Sequence, residues 1–250
     1  MTSLGGPAPY WTDWTLDDIG NRTKEVNHTA SGNITTNYRI PASGPNSVRP
    51  HSVLASVTAT PGVTRPVTRN VTYDAAGNTR TRRGNTADQT LTWNAEGKLT
   101  NTAEGESKQA NVYDADGARL IRRDNTGTTL FLPGMEVHRA ASNGAITATR
   151  YYTFGGTTVA SRAGSNLTGL SWIFNDHQGT QNTSVNADSY AVTIRRQTPY
   201  GEPRGTAAVW PNQKSFVGGD NDPNGLIHIA PASMTPTWPI HLRRPRHGSQ

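Results

Sequence analysis

The residues able to do chemistry in this chain are carboxylates, histidines and arginines, and no spacing among them completes a site. Asp114-x-Asp116-Gly117 has the opening of a calcium loop. A full loop needs further oxygen ligands and a distal glutamate. The same register elsewhere holds Ala76 and Glu96, so a turn is expected. Asp176 beside His177 has the makings of half a proton-transfer pair, but no nucleophile or third partner is placed by the sequence. His177 reads instead as a turn or wall residue. His228, His241 and His247 lack metal-ligand spacing. The absence of cysteine rules out disulfides, thiol nucleophiles and thiolate metal sites. No cofactor or metal is therefore expected.

The chain carries a net charge of +6, and its arginines are dispersed. Arg80, Arg82, Arg83, Arg119, Arg122, Arg123, Arg195 and Arg196 alternate with polar residues and read as a solvated sheet face. No aromatic-basic reading motif accompanies them, so no nucleic-acid partner is expected. Arg243-Arg244-Pro245-Arg246 reads as part of a tail rather than a nucleic-acid arm.

The elements that must position these groups follow from one phrase. Tyr73-Asp74-Ala75-Ala76-Gly77-Asn78, Trp93-Asn94-Ala95-Glu96-Gly97 and Tyr113-Asp114-Ala115-Asp116-Gly117 recur every 20 residues. Self-similarity at fixed spacing means one supersecondary unit repeated. The aromatic ends a strand, Asp or Asn bonds its own backbone to open a turn, and Gly supplies a positive φ. Each phrase predicts a β-hairpin with a connection of four or five residues. Leu16-Asp17-Asp18-Ile19-Gly20-Asn21 is a fourth copy, with Leu in the aromatic's place.

Composition agrees. Hydrophobic residues are 33%, while 25 Gly and 16 Pro punctuate the 250 residues. Abundant Thr and Asn with scarce Leu, Ile, Phe and Met suit many short strands and no long helix. No stretch approaches the roughly 20 apolar residues of a membrane helix, and Met1–Tyr10 lacks the pattern of a signal peptide.

Further strands are expected at Thr35–Ile40, Ser52–Thr60, Thr64–Tyr73, Leu120–Asp124, Thr128–Leu132, Met135–Arg139, Ala145–Phe154, Thr157–Arg162, Leu170–Asn175 and Tyr190–Arg196. A Pro/Ser/Gly/Asn loop at Pro41–Pro50 interrupts the early copies. The chain divides into an irregular start (1–13), a repeat region (14–124), a second repeat-derived region (125–229) and a tail (230–250).

The Tyr-Asp-x-x-Gly-Asn phrases resemble the YD repeats of the Rhs (rearrangement hot spot) family. The second half is similar to the Rhs repeat-associated core. It carries Arg150-Tyr151-Tyr152-Thr153-Phe154-Gly155, Asp176-His177-x-Gly179-Thr180, Pro199-Tyr200-Gly201-Glu202-Pro203-Arg204-Gly205, and Phe216-x-Gly218-Gly219 followed by Asp222-Pro223-x-Gly225-Leu226. The resemblance spans Trp14 to Ile229. It implies an all-β fold in which consecutive YD hairpins form part of a spiralling hollow β-shell around a C-terminal toxin. The implied partners are the remainder of the shell and the payload, in a secreted or cell-surface protein. In many family members the core also frees the toxin by aspartyl-type self-cleavage, using an arginine and aspartates that follow the Gly-Leu element.

That ending is missing here. Two single-base losses, one near Ile229 and one near Pro239, would explain it. With allowed wobble bases, frames shifted at Ala230 and Ile240 can spell Thr-Arg-Gln-Tyr-Asp-Pro-His-Leu and Phe-Ile-Ser-Val-Asp-Pro-Val-Met-Asp-Pro, both family-like. Aspartyl chemistry needs two carboxylates able to share a proton, and the expected pair is absent, since Asp222 reads as a turn residue. The expectation is a non-catalytic shell and core fragment. The alternatives are a repeat protein that binds cell-surface or cell-wall carbohydrate, through residues such as Trp93, and a self-cleaving toxin, which the tail disfavours.

Overall fold

In the computed structural model, residues 5–206, 208–229, 232–235 and 238–241 are described, with side chains to Ile229. The expected all-β architecture is what they form, as antiparallel hairpins joined into sheets. The one helical element among them is a 3-10 turn at Phe216–Gly218. No helix among the described residues is long and apolar enough to cross a membrane.

The chain divides into two compact units between Thr90 and Leu91. The first unit holds a sheet in the order β1 (Thr12–Leu16), β2 (Arg22–Thr29), β3 (Gly32–Arg39), β4 (Ala55–Ala59) and β5 (Val67–Asn70). Two further strands, β6 (Thr72–Tyr73) and β7 (Thr79–Arg83), flank the turn of the Tyr73 phrase. Strand β8 (Asp88–Trp93) begins in this unit, pairing with β7 from Asp88 to Thr90.

The second unit is built on a meander. Strands β9 (Leu99–Glu104), β10 (Ser107–Tyr113), β11 (Arg119–Asp124), β12 (Gly127–Leu132), β13 (Met135–Ala140), β14 (Ile146–Phe154), β15 (Thr157–Ala163), β16 (Leu170–Asn175), β17 (Gln181–Asn186) and β18 (Val192–Ile194) lie side by side in chain order. A smaller sheet follows, with β19 (Asp220–Asn221), β20 (Ile227–Ile229), β21 (Ala232–Thr235) and β22 (Trp238–His241). Strands β21 and β22 fall in the stretch set apart as a tail. The rest of that stretch lies outside the described residues, as does the basic run from Arg243.

The interior is unusual for a soluble fold. Among the described residues, buried polar and charged side chains outnumber buried hydrophobic ones, and Arg122 is the largest of those fully buried. The apolar cluster of the second unit is small: Leu91, Leu99 and Leu226, with Trp93 packed against them. Trp93 is thus a packing residue, in line with strand aromatics facing their neighbours and not with the alternative of a sugar platform. With so little apolar area to bury, the unit relies on paired polar groups, which are costly inside a protein unless satisfied.

Candidate functional site

The repeat phrase folds as one turn, used seven times among the described residues; an eighth turn, at Ser215, has the same two backbone bonds but differs in placing Val217 in the left-handed region as well. The seven copies open at Asp17, Asp74, Asn94, Asp114, Asp176, Thr198 and Asp222. In each copy the first residue's N–H donates to the fifth residue's carbonyl at 2.8 to 3.0 Å. The glycine N–H at the fourth position donates back to the first carbonyl at 2.9 to 3.1 Å. Those glycines, including Gly77, Gly97, Gly117, Gly179, Gly201 and Gly225, have φ between 69° and 88°, the left-handed region that disfavours other residues. The Asp176, Tyr200–Gly201 and Asp222 elements, separate motifs in sequence, are therefore the same device as the YD phrase.

In six copies the first side chain caps its own turn. Asp17, Asp74, Asn94, Asp114 and Asp176 accept the fifth residue's N–H on Oδ1 at 2.8 to 2.9 Å, and Thr198 does so on Oγ1 at 3.2 Å. Asp114 serves as a turn former through Oδ1, and no group of three or more His, Asp or Glu able to hold a metal ion occurs among the described residues. His177 is exposed at its turn. Asn78 is buried, with its amide donating to Asp74 Oδ2 at 3.0 Å. The hydroxyls of Tyr73 and Tyr113 donate to the carbonyls of Val53 and Leu99 at 2.8 and 2.9 Å. Burial pushes both phenols up to about 12.

The seventh copy differs. There the capping bond to the Leu226 N–H comes from Asn224 Oδ1, at 3.0 Å. The Asp222 carboxylate is released to face β10 and β11. Its Oδ2 accepts from Arg119 Nη1 at 2.5 Å and from Gln109 Nε2 at 2.9 Å, and its Oδ1 accepts from Arg122 Nη1 at 2.8 Å. Arg119 Nη2 also reaches Asp220 Oδ2 at 3.2 Å. Arg122 extends the network to Asp124 at 2.8 Å and to Gln213 at 3.0 Å. Asp222, Arg119 and Arg122 are only 5%, 6% and 1% exposed, so these charges are held by one another rather than by water.

The electrostatics follow. Burial alone would raise the Asp222 carboxyl. The Arg119 charge and hydrogen bond, then Arg122 and Gln109, outweigh it and hold the group below the usual carboxylate range. Burial would lower Arg119, but the Asp222 charge and hydrogen bond and the Asp220 charge keep it firmly protonated. Burial, and then the Arg119 charge, push nearby His228 down to about 4.

The reading of the arginines as a solvated face fails at Arg82, Arg119 and Arg122, all buried. The cause is the bulge that follows the turn. Tyr113 pairs with Arg119 and Val112 with Ile121, so Leu120 is an extra residue. The bulge rephases the strand, and residues three apart come to share a face. The same shift occurs after the turns at Asp17, Asp74 and Asp176. Arg22 thus pairs with Glu25 at 2.7 Å, while Thr79 with Arg82 and Gln181 with Ser184 are buried together.

Beside the cluster, a cavity of about 490 Å³ is lined by Glu136, Tyr151, Lys214, Asp220, Arg119 and Phe131, among others. Tyr151 donates to Glu136 Oε1 at 2.8 Å, while Oε2 is buried without a hydrogen-bond partner. Burial raises the Glu136 carboxyl against that hydrogen bond, with the Asp220 charge adding to the rise.

Solved structures share this fold. One chain of the Photorhabdus luminescens Tc holotoxin pore with a mutated TccC3 component aligns with a TM-score of 0.64 at 15% identity, over 95% of this chain and 14% of that one. TcdB2-TccC3 without its hypervariable C-terminal region aligns with a TM-score of 0.64 at 14% identity, over 95% and 14%. The chain therefore spans 14% of the length of these much larger proteins. No family profile and no curated protein matches it.

Proposed function

We propose that this chain is a wall and core segment of an Rhs/YD-repeat toxin shell, which encloses a C-terminal payload, and that it is not itself catalytic. The observation that carries this reading is the fold shared with the toxin-complex structures over nearly the whole chain. The seven-fold turn fits it, since identical hairpins laid in sequence are how a repeat wall is extended. The Asp222 cluster fits as well: buried charges paired with one another act as a clamp tying the last turn to β10 and β11. In the intact protein the partners are the remaining shell and the payload, and the location is secreted or cell-surface.

Co-expression with the coding regions that flank this chain tests the reading. Electron microscopy should show a hollow particle that shields the downstream segment from added protease. An open assembly with that segment degraded would overturn it. Incubation of the purified chain should leave it whole, and a defined C-terminal cleavage product would refute the non-catalytic role.

A second reading rests on a different cavity, of about 540 Å³, lined by Tyr152, Arg162, Asn166 and half-exposed Trp172. An aromatic face beside hydrogen-bonding groups suits carbohydrate. A glycan-array signal lost in Trp172→Ala would favour this reading, and a silent array would remove it.

A further inference from the structure

The cavity beside the clamp holds a lysine, an aspartate and a glutamate that no shell role requires. Lys214 and Asp220 are directly opposite one another across a tight antiparallel loop. The flanking backbone bonds run from Asn221 to Gln213 at 2.8 Å and from Ser215 to Gly219 at 2.7 Å. The pair thus occupies the non-hydrogen-bonded position, where opposing side chains come closest. Lys214 Nζ lies 2.7 Å from Asp220 Oδ1. That contact lacks hydrogen-bond alignment, and Oδ1 is buried without a bonded donor. The other oxygen, Oδ2, is fixed by Arg119 Nη2 at 3.2 Å. Glu136 lines the same cavity with Oε2 unpartnered, and Phe131 and Tyr151 add aromatic wall.

The intervening loop is also strained. Val217 has φ 52°, a left-handed conformation that is a genuine outlier for a β-branched residue. Such strain persists only where the surroundings over-determine it. A covalent tie across the mouth of the loop would do so.

We propose that Lys214 and Asp220 join through an intramolecular isopeptide bond, with the Glu136 carboxyl carrying protons between the reacting groups. The balance closes within the three residues. A proton passes from the Lys214 ammonium to the Asp220 carboxylate 2.7 Å away, leaving a neutral amine and a neutral acid. Nζ attacks Cγ, and the N–C bond forms. Arg119 at Oδ2 stabilises the oxyanion. Glu136 gives a proton to the departing hydroxyl, the C–O bond breaks, and water leaves. The surplus proton on nitrogen returns to Glu136. No oxidant, metal or further reactant is involved.

Intact-mass spectrometry of the purified full chain, with Met1 removal allowed for, tests this. The expected mass is one water below that of the sequence. Trypsin should fail to cut after Lys214, giving a single Gly205–Arg243 peptide that carries the loss. Lys214→Arg should restore the full mass. Asp220→Asn should lose ammonia in place of water. Glu136→Gln, with its β-sheet circular dichroism unchanged, should keep the full mass. A full-mass wild-type chain cut after Lys214 would overturn the proposal. So would a water loss mapped to another site, such as Asp116-Gly117. Unchanged bond formation in Glu136→Gln would overturn the role given to Glu136.

Discussion

Arg119 and Arg122 stand three residues apart on one strand and still grip the same carboxylate, Arg119 on Oδ2 of Asp222 and Arg122 on Oδ1. A regular strand would point them to opposite faces. The bulge at Leu120 is what brings them together.

Removing the shared partner leaves two buried guanidinium groups short of a counter-charge. Asp222→Ala should cost about 3–5 kcal/mol, the usual penalty for breaking a buried pair from one side. Urea denaturation checks this. A loss below about 1 kcal/mol would mean that the cluster is solvated in solution.

Acid should weaken the second unit through two groups of the same sign. Asp222 is depressed in the fold, so its contribution is present above the ordinary carboxylate value and is lost as pH falls through its folded value. His228 is held neutral down to about 4, so unfolding takes up a proton between the usual histidine value and about 4, and stability falls across that window. Glu136 is raised and works in the opposite sense, favouring the fold at low pH and losing that contribution as pH rises through its folded value. His228→Phe should flatten the dependence between about pH 6.5 and 4. An unchanged slope in urea titrations at several pH values would contradict this.

Two turn glycines should respond differently to alanine. At Gly77 an added Cβ meets nothing within 4 Å, so Gly77→Ala should cost only the left-handed penalty of about 1 kcal/mol. At Gly201 the Cβ would lie 2.8 Å from the Phe216 ring. Overpacking then adds about 1–3 kcal/mol. Thermal melts of the two variants should separate accordingly.

The outer edge of the second unit's large sheet invites association. Strand β18 ends it, with Val192 and Ile194 exposed and Trp172 and Phe174 exposed on β16. An unprotected apolar edge templates further pairing. Light scattering of the isolated chain should show growth with concentration, and Val192→Lys with Ile194→Lys should suppress it.

Much of the fold was legible because the turn is written in side chains. Asp or Asn, then Gly three residues later, specifies the hairpin wherever it falls, and the expected strand Leu170–Asn175 appears unchanged as β16. What sequence could not convey was the phase of each strand after its turn. A bulge leaves no composition signal, so Arg119 and Arg122 looked like alternating surface charges. The pairing of Lys214 with Asp220 was equally hidden, because it depends on a short loop closed by backbone bonds rather than on a motif. Asp222 was recognisable as a turn residue, but its second task required knowing that Asn224 had taken over the capping bond.

That takeover has a consequence of its own. In six of the seven turns, one side chain both opens the turn and caps it. In the seventh, the two jobs belong to different residues. The curve of the hairpin and the grip of its carboxylate can therefore vary independently, by mutation or by selection, without either dragging the other along.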